Sequence, residues 1–378
     1  MSATLTHEPT KEEAQEIYRA YQQYLDKFGF GYCAVDGGNE MVMIEEFYTP
    51  QEAAYCTDMP RNEFFDAEWF AQKEDMSVEE AEETLRNMAV RGNVYREKRE
   101  DGKFYYHSEP AAHGIYEFHA GEAMNAHWLG EGLYPTMGKG MLAQVYDAGI
   151  PFYRCVPADK SLVKEGELLE EDDIFEALKK HRRFCVSECA CLQSSRDILG
   201  MKNCDHSTNV CLQTDEMADY YLDDLHLGKE ITLEQATALL KGNVNRGLAM
   251  QTTYAQKNEI ICSCRVCHCG ILQAAKGFPG DAMNNISHYK IEFDPSKCAQ
   301  DGGCVARCTM GAIKLDEETG YPVTDASCIG CGQCVIACGN HARILTRKPD
   351  NEILPLPENV WGAYAEMEDN RRAKGMIA

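Results

Sequence analysis

Apolar and aromatic side chains at Ile17, Tyr18, Tyr21, Leu25 and Phe28 recur at helical spacing, so the pattern predicts an amphipathic helix over Lys11 to Phe28. Thr49 followed by Pro50 predicts another helix start, with threonine as N-cap and proline at the first position. Ser77-Val-Glu-Glu80 is a capping box, and Val78, Ala81, Leu85, Met88 and Ala89 continue from it on one face until Gly92. The rhythm then becomes that of strands. Val94 to Lys98 and Lys103 to His107 flank Glu100-Asp-Gly102, which predicts a hairpin. Helices followed by a two-stranded wing make a winged-helix-like module over residues 1–110.

Further along, Ile115-Tyr-Glu-Phe118 reads as a strand or a helix entry. Gly138 to Tyr146 predicts a helix and Phe152 to Val156 a strand. Leu168 to Arg183 predicts one helix, acidic at first and basic over Lys179-Lys-His-Arg-Arg183, where cations suit the helix dipole. Thr232-Leu-Glu-Gln235 is a capping box that opens another helix. His288 to Phe293, Ala312 to Leu315, Tyr321 to Thr324 and Ala342 to Thr346 predict short strands, with a turn at Glu318-Thr-Gly320. Pro349, Pro355 and Pro357 then precede a polar helix over Trp361 to Arg372. The expected fold class is α+β and multidomain: the module at 1–110, a mixed cysteine-rich domain at 111–285, a compact two-half domain at 286–347 and a helical tail at 348–378.

Charge narrows the list of partners. The chain has 378 residues and a formal net charge of −24, which disfavours nucleic acid and anionic membranes as default partners. The wing is locally basic at Arg96, Lys98, Arg99 and Lys103. The helix before it carries Glu79, Glu80, Glu82 and Glu83 against Arg86 and Arg91, and glutamates there oppose phosphates. No run approaches the roughly 18 apolar residues of a membrane span, and Met1 to Glu16 lacks an apolar leader core, so the expected location is the cytoplasm. Glycine-rich nucleotide fingerprints, a P-loop and a nucleophile elbow are absent from the sequence.

Cysteine changes the picture most. Of 19 cysteines, only Cys33, Cys56 and Cys155 precede residue 185, and the other 16 lie between Cys185 and Cys338. Short spacings in a chain without a secretory leader favour metal ligands over disulfides. Cys328-Ile-Gly-Cys331-Gly-Gln-Cys334-Val-Ile-Ala-Cys338 has the spacing C-x2-C-x2-C-x3-C of bacterial iron–sulfur sites. Three thiolates on one tight loop can reach three irons of one cubane, and Gly330 and Gly332 let the backbone bend close. Cys298, Cys304 and Cys308 repeat Cys328, Cys334 and Cys338 at a constant offset of thirty residues. The repeat puts Asp301 where Cys331 stands. Asp301 is therefore either a harder oxygen ligand or a solvated turn residue before Gly302-Gly303.

These residues resemble the two-[4Fe–4S] bacterial-type ferredoxin domain. The resemblance implies a (βαβ)2 fold whose two clusters exchange their fourth ligands. One cluster then takes Cys308, Cys328, Cys331 and Cys334. The other takes Cys298, Cys304, Cys338 and Asp301, as [4Fe–4S] with one distinctive iron or as [3Fe–4S]. Thr309 and Gly339 depart from the family, which usually has proline after the last cysteine of each half.

Upstream lie Cys189, Cys191, Cys204 and Cys211, then Cys262, Cys264, Cys267 and Cys269, with His206 and His268 beside them. Four thiols in each group suit one or two further iron–sulfur clusters, with a zinc site as the alternative. From about Ala112 onward the chain resembles large ferredoxin-containing proteins of anaerobic bacteria, in which such a module precedes the two-cluster domain. The expected function is single-electron transfer as a subunit of a larger anaerobic oxidoreductase, docked on a redox partner or catalytic subunit, with homo-oligomers open. The alternatives are a redox-responsive winged-helix regulator of DNA and a stand-alone enzyme using the Asp301 cluster.

Overall fold

The computed structural model describes residues 2–201, 204–278 and 281–377. It is a mixed assembly of helices with one six-stranded and three two-stranded sheets among the described residues.

Local rules hold well in the N-terminal part. Helices Lys11–Leu25, Pro50–Asp58 and Val78–Ala89 each start at a complete capping box, on Thr10, Thr49 and Ser77. Two helices, Glu40–Phe47 and Ala67–Glu74, join those expected from the pattern. The second starts at Asp66, whose carboxylate accepts the Trp69 N–H at 2.9 Å. The hairpin pairs β1 (Tyr95–Lys98) with β2 (Phe104–His107) in antiparallel register. Its basic side chains are already engaged. Arg96 pairs with Asp224, Arg99 with Glu97 and Lys103 with Glu68. Glu79, Glu80, Glu82 and Glu83 are exposed on the preceding helix.

The centre is one antiparallel sheet of β3 (Tyr153–Val156), β4 (Phe184–Glu188), β5 (Asn209–Thr214), β6 (Lys229–Ile231), β7 (Ala249–Thr253) and β8 (Ile260–Cys264). The strand order is β3-β7-β8-β5-β4-β6. Period-two alternation gives each strand two faces. Val156, Phe184, Leu212, Met250 and Ile261 share a buried cluster with Ala236, Leu240 and Val244 of helix Leu233–Asn245. Cys155, Cys211, Gln251 and Cys262, each one position away, face the opposite side.

One expectation fails here. Leu168 to Arg183 is not a single helix: only Ile174–Ala177 is α-helical, continued by a tighter turn at Leu178–Lys180. Asp173 caps that short piece, and His181 is already extended. The basic residues then serve side-chain pairing instead of a helix end. Arg182 and Arg183 engage Asp219, and Arg183 also reaches Asp223 and Glu230.

The two-half segment contains β9 (Tyr289–Phe293), β10 (Ile313–Leu315), β11 (Pro322–Thr324) and β12 (Arg343–Arg347), paired β9 with β12 and β10 with β11, both antiparallel. Helical turns Gly303–Ala306 and Gln333–Ile336 follow Gly302 and Gly332, whose φ values of 73° and 78° favour glycine. The thirty-residue repeat is thus a structural repeat. Helix Val360–Ala373 returns to the N-terminal part, and one cluster of buried side chains runs from Tyr18 to Met367. Arg371 is fully buried there and donates to the carbonyls of Asp26 and Phe28.

Candidate iron–sulfur centres

The first site gathers Cys308, Cys328, Cys331 and Cys334 at the junction of the two-half segment and the central sheet. The turn at Gly330 (φ 63°) brings the backbone against its support: a Cβ there would lie 2.6 Å from Ser287 Oγ and 2.7 Å from the Tyr289 carbonyl oxygen. The backbone N–H of Ala312 donates to Cys308 Sγ at 3.2 Å, as that of Ala342 does to Cys338 Sγ at 3.2 Å. Such N–H donors favour thiolate over thiol. Burial pushes the Cys328 thiol up to about 11 and that of Cys334 higher still. Cys331 moves the other way, down to about 7, with the neighbouring Cys155 thiol as the largest cause. Cys155 lies on β3 and is 2% exposed, and burial holds its own thiol far above the ordinary range.

Thr309, where the family resemblance leads one to expect proline, has a structural use. Its hydroxyl donates to the Gly247 carbonyl at 3.1 Å and fixes the segment to the loop before β7. Arg307 and Gln333 add bonds to the end of helix Leu233–Asn245, to the Val244 carbonyl at 2.9 and 3.1 Å.

The second site is a small cavity lined by Cys298, Asp301, Cys304 and Cys338, closed by Phe293, Pro322 and Arg343. All four side chains assigned to the second cluster by the resemblance therefore meet, and Cys338 is contributed by the other half of the repeat. Asp301 Oδ1 accepts the Gly303 N–H at 3.0 Å, as a turn aspartate does, while its side chain borders the cavity. Arg343, 2% exposed, donates to Thr324 Oγ1 at 3.0 Å and to the Pro322 carbonyl at 3.1 Å. Its charge partly offsets the burial that raises Cys304 in one site and Cys328 and Cys334 in the other. Sequence spacing offered no signal for this residue.

The central sheet builds a third site. Cys189, Cys191, Cys211, Cys262, Cys264 and Cys269 line one enclosed cavity of about 50 Å³, with Glu117 and Tyr153. Cys211 on β5 stands directly opposite Cys262 on β8, which brings the two sequence groups together. Cys264 shares the face of Cys262, and Cys269 caps helix Gly270–Gly277. The neighbouring thiols of Cys211 and Cys264 pull Cys262 down to about 5, and those of Cys191 and Cys264 pull Cys269 well below the ordinary thiol range. Burial drives the Glu117 carboxyl up to about 8 although the Gly114 N–H donates to it at 3.0 Å. Cys204 and Cys267 are not among the lining residues of this cavity. Their Sγ atoms lie 3.0 Å apart beside His268, whose ring is 5.8 Å from that of His206.

The sites are linked by strand pairing. Cys155, Gln251, Cys262 and Cys211 are successive partners across β3, β7, β8 and β5. At about 4.8 Å per strand, Cys155 beside the first site and Cys262 in the third stand roughly 10 Å apart. Gln251 bridges them and donates to Cys269 Sγ at 3.7 Å. Cys155 and Gln251 were not among the expected site residues. The lone position of Cys155 before the cysteine-rich stretch was the one available hint.

Thiol cages on a two-half frame suit iron–sulfur clusters, and comparison with known proteins points the same way. Residues 290–339 match the family described as a 4Fe-4S dicluster domain. Over 67 residues, 18% of this chain and 35% of the relative, the protein is 34% identical to the thiosulfate reductase electron transfer subunit PhsB of Salmonella typhi. Over 47 residues, 12% of this chain and 27% of the relative, it is 45% identical to the aliphatic sulfonate oxidoreductase, polyferredoxin-like subunit of Pyrococcus furiosus. The chain thus spans about a third or less of either relative's length. No solved structure matches it. No helix among the described residues is long and apolar enough to cross a membrane.

Proposed function

We propose that this chain is the electron-transfer subunit of an anaerobic oxidoreductase, carrying single electrons through three iron–sulfur centres. The observation that carries the reading is the assembly of Cys308, Cys328, Cys331 and Cys334 within the 4Fe-4S dicluster match, two strand pairings away from the thiols of the central-sheet cavity. Cys308, Cys328, Cys331 and Cys334 would hold the first [4Fe–4S] cluster. Cys298, Cys304 and Cys338, with Asp301, would hold the second. Four of Cys189, Cys191, Cys211, Cys262, Cys264 and Cys269 would hold the third. The donors fit: each cage is built from thiols, joined by the Asp301 carboxylate in the second, and burial or backbone N–H groups shape each one. Bound clusters supply one-electron oxidation and reduction.

The protein's own residues then act on that exchange. The Ala312 N–H directs a hydrogen bond at a ligand sulfur, the Cys155 thiol lies beside another, and Arg343 places a fixed positive charge between the first two sites. Gln251 fills the gap toward the third. We assign residues 1–110 and the tail to docking, 111–285 to the third centre and 286–347 to the first two. The printed names of the relatives support an oxidoreductase partner of redox type. The test is anaerobic purification of the full chain with iron and acid-labile sulfide counted. The expected result is about eleven or twelve irons per chain, from two cubanes and a second centre of three or four irons. About seven or eight irons, the content of the two ferredoxin-type centres alone, would remove the third centre, and fewer would overturn the reading altogether.

A further inference from the structure

We propose that Cys204, Cys267 and His268 form a mononuclear zinc site, separate from the six-thiol cavity beside it. The three donor atoms converge on one point. Cys204 Sγ and Cys267 Sγ are 3.0 Å apart, and His268 Nδ1 lies 3.4 Å from the first and 3.2 Å from the second. All three side chains are grouped within reach of a single ion. Zinc–sulfur bonds of about 2.3 Å and zinc–nitrogen bonds of about 2.0 Å in a tetrahedron put sulfurs about 3.8 Å apart and sulfur about 3.5 Å from nitrogen. Opening the triangle by less than about 1 Å therefore accommodates the ion. Ligands of a cubane bond different irons and have no reason to close on one point.

The donor types point the same way. Two thiolates with one imidazole are a zinc set, whereas the six thiols of the cavity next door suit iron and sulfide. His268 is 2% exposed, and its Nε2 is buried without a hydrogen-bond partner among the described residues. The two sulfurs are thus the polar groups that engage this ring. The division also explains the run Cys264-Arg-Val-Cys267-His-Cys269. Cys264 and Cys269 enter the cavity, while Cys267 and His268 meet Cys204.

The ion would tie together segments 63 residues apart. Cys204 lies in the irregular stretch before β5, which Arg196 steadies by donating to the carbonyls of Cys204 at 2.9 Å and His206 at 2.8 Å. Cys267 and His268 form the turn that leads to Cys269. Zinc there would hold that turn, and with it Cys269, against the wall of the thiol cavity. Among the described residues no fourth protein donor joins the three, so water completes the tetrahedron.

The experiment measures zinc and iron together on the anaerobically purified full chain, with zinc K-edge absorption on the wild type. The expected result is about one zinc per chain, with a shell of two sulfurs and lighter nitrogen or oxygen atoms. Cys204→Ser and His268→Ala should each lose at least about four-fifths of the zinc, with iron unchanged, while His268→Cys should retain it. Wild type without zinc, a four-sulfur shell, or a loss of about four irons in either variant overturns the proposal. The absorption spectrum needs no variant and so stands even where a substitution prevents folding. A failed iron count at the ferredoxin-type centres, by contrast, would leave this zinc result readable.

Discussion

Replacing Cys155 with alanine should lower the reduction potential of the first centre. The Cys155 thiol, held protonated by burial, lies beside Cys331 and favours its thiolate, so it is placed to donate to that sulfur once it is a ligand. Reduction adds negative charge to the cluster and its sulfurs, so a donor aimed at a ligand sulfur stabilises the reduced form and raises the potential. A thiol is a weak donor, and a net contribution of about 0.5–1.5 kcal/mol is reasonable for one such bond. For a one-electron couple, 59 mV corresponds to a tenfold change in equilibrium, or about 1.4 kcal/mol. Cys155→Ala should therefore shift the potential down by about 20–65 mV. Cys155→Ser keeps a hydroxyl donor and should stay close to wild type. The assay is an EPR-monitored redox titration of the anaerobic full chain. An alanine variant within about 10 mV of wild type, or one with a raised potential, would refute the reasoning.

Ligand exchange between the halves makes a second prediction: Cys338→Ser should perturb the EPR signal of the second centre and spare the first, and Cys308→Ser should do the reverse. Signals that follow the residue's own half would sink that assignment. Asp172 sits buried between Arg154 and His288, accepting from His288 Nδ1 at 2.8 Å, and so joins β3 to the residue before β9. Asp172→Asn leaves the Arg154 charge buried and uncompensated, at a cost of about 3–5 kcal/mol, and an unmoved urea midpoint would contradict this. Glu259, fully buried, has its carboxyl raised from 4.5 to about 7 by desolvation. The folded chain keeps a proton there that the unfolded chain releases, so this group's stabilisation is present below about pH 4.5 and lost as pH rises through about 7. Glu259→Gln should remove a fall of about 3 kcal/mol across that window, read as thermal midpoints against pH; parallel wild-type and variant curves would argue against it.

Much of this architecture was legible because it is local. Capping boxes at Thr49, Ser77 and Thr232 fix helix starts within four residues, and the glycines and cysteines of 298–338 carry their own turn geometry. The tail helix was readable from its pattern. Long-range pairing was not. Nothing near Cys211 announces that it will face Cys262, because that contact depends on β5 lying beside β8. Two groups that look like separate four-thiol motifs therefore contribute jointly to one cavity, while Cys204 and Cys267 go elsewhere. The role of Cys155 was hidden for the same reason: Cys331, which it lies beside, is supplied by a different segment. The failed helix at 168–183 shows the opposite bias. A smooth run of charge looked helical, but Asp215, Asp219 and Asp223 offered its basic residues better partners across space.

The return of helix Val360–Ala373 sets an order of assembly. Gly29 has no room for a Cβ beside Met367, and Arg371 binds the carbonyls on either side of Lys27. During synthesis, at about 5–20 residues per second, the first helices leave the ribosome long before this closing helix exists. The cysteines from 189 to 338 emerge in between. Under the proposed function, iron and sulfide could reach these cysteines before helix Val360–Ala373 packs against the N-terminal helices. Maturation enzymes that load such a chain would meet an unlatched form that the finished protein no longer presents.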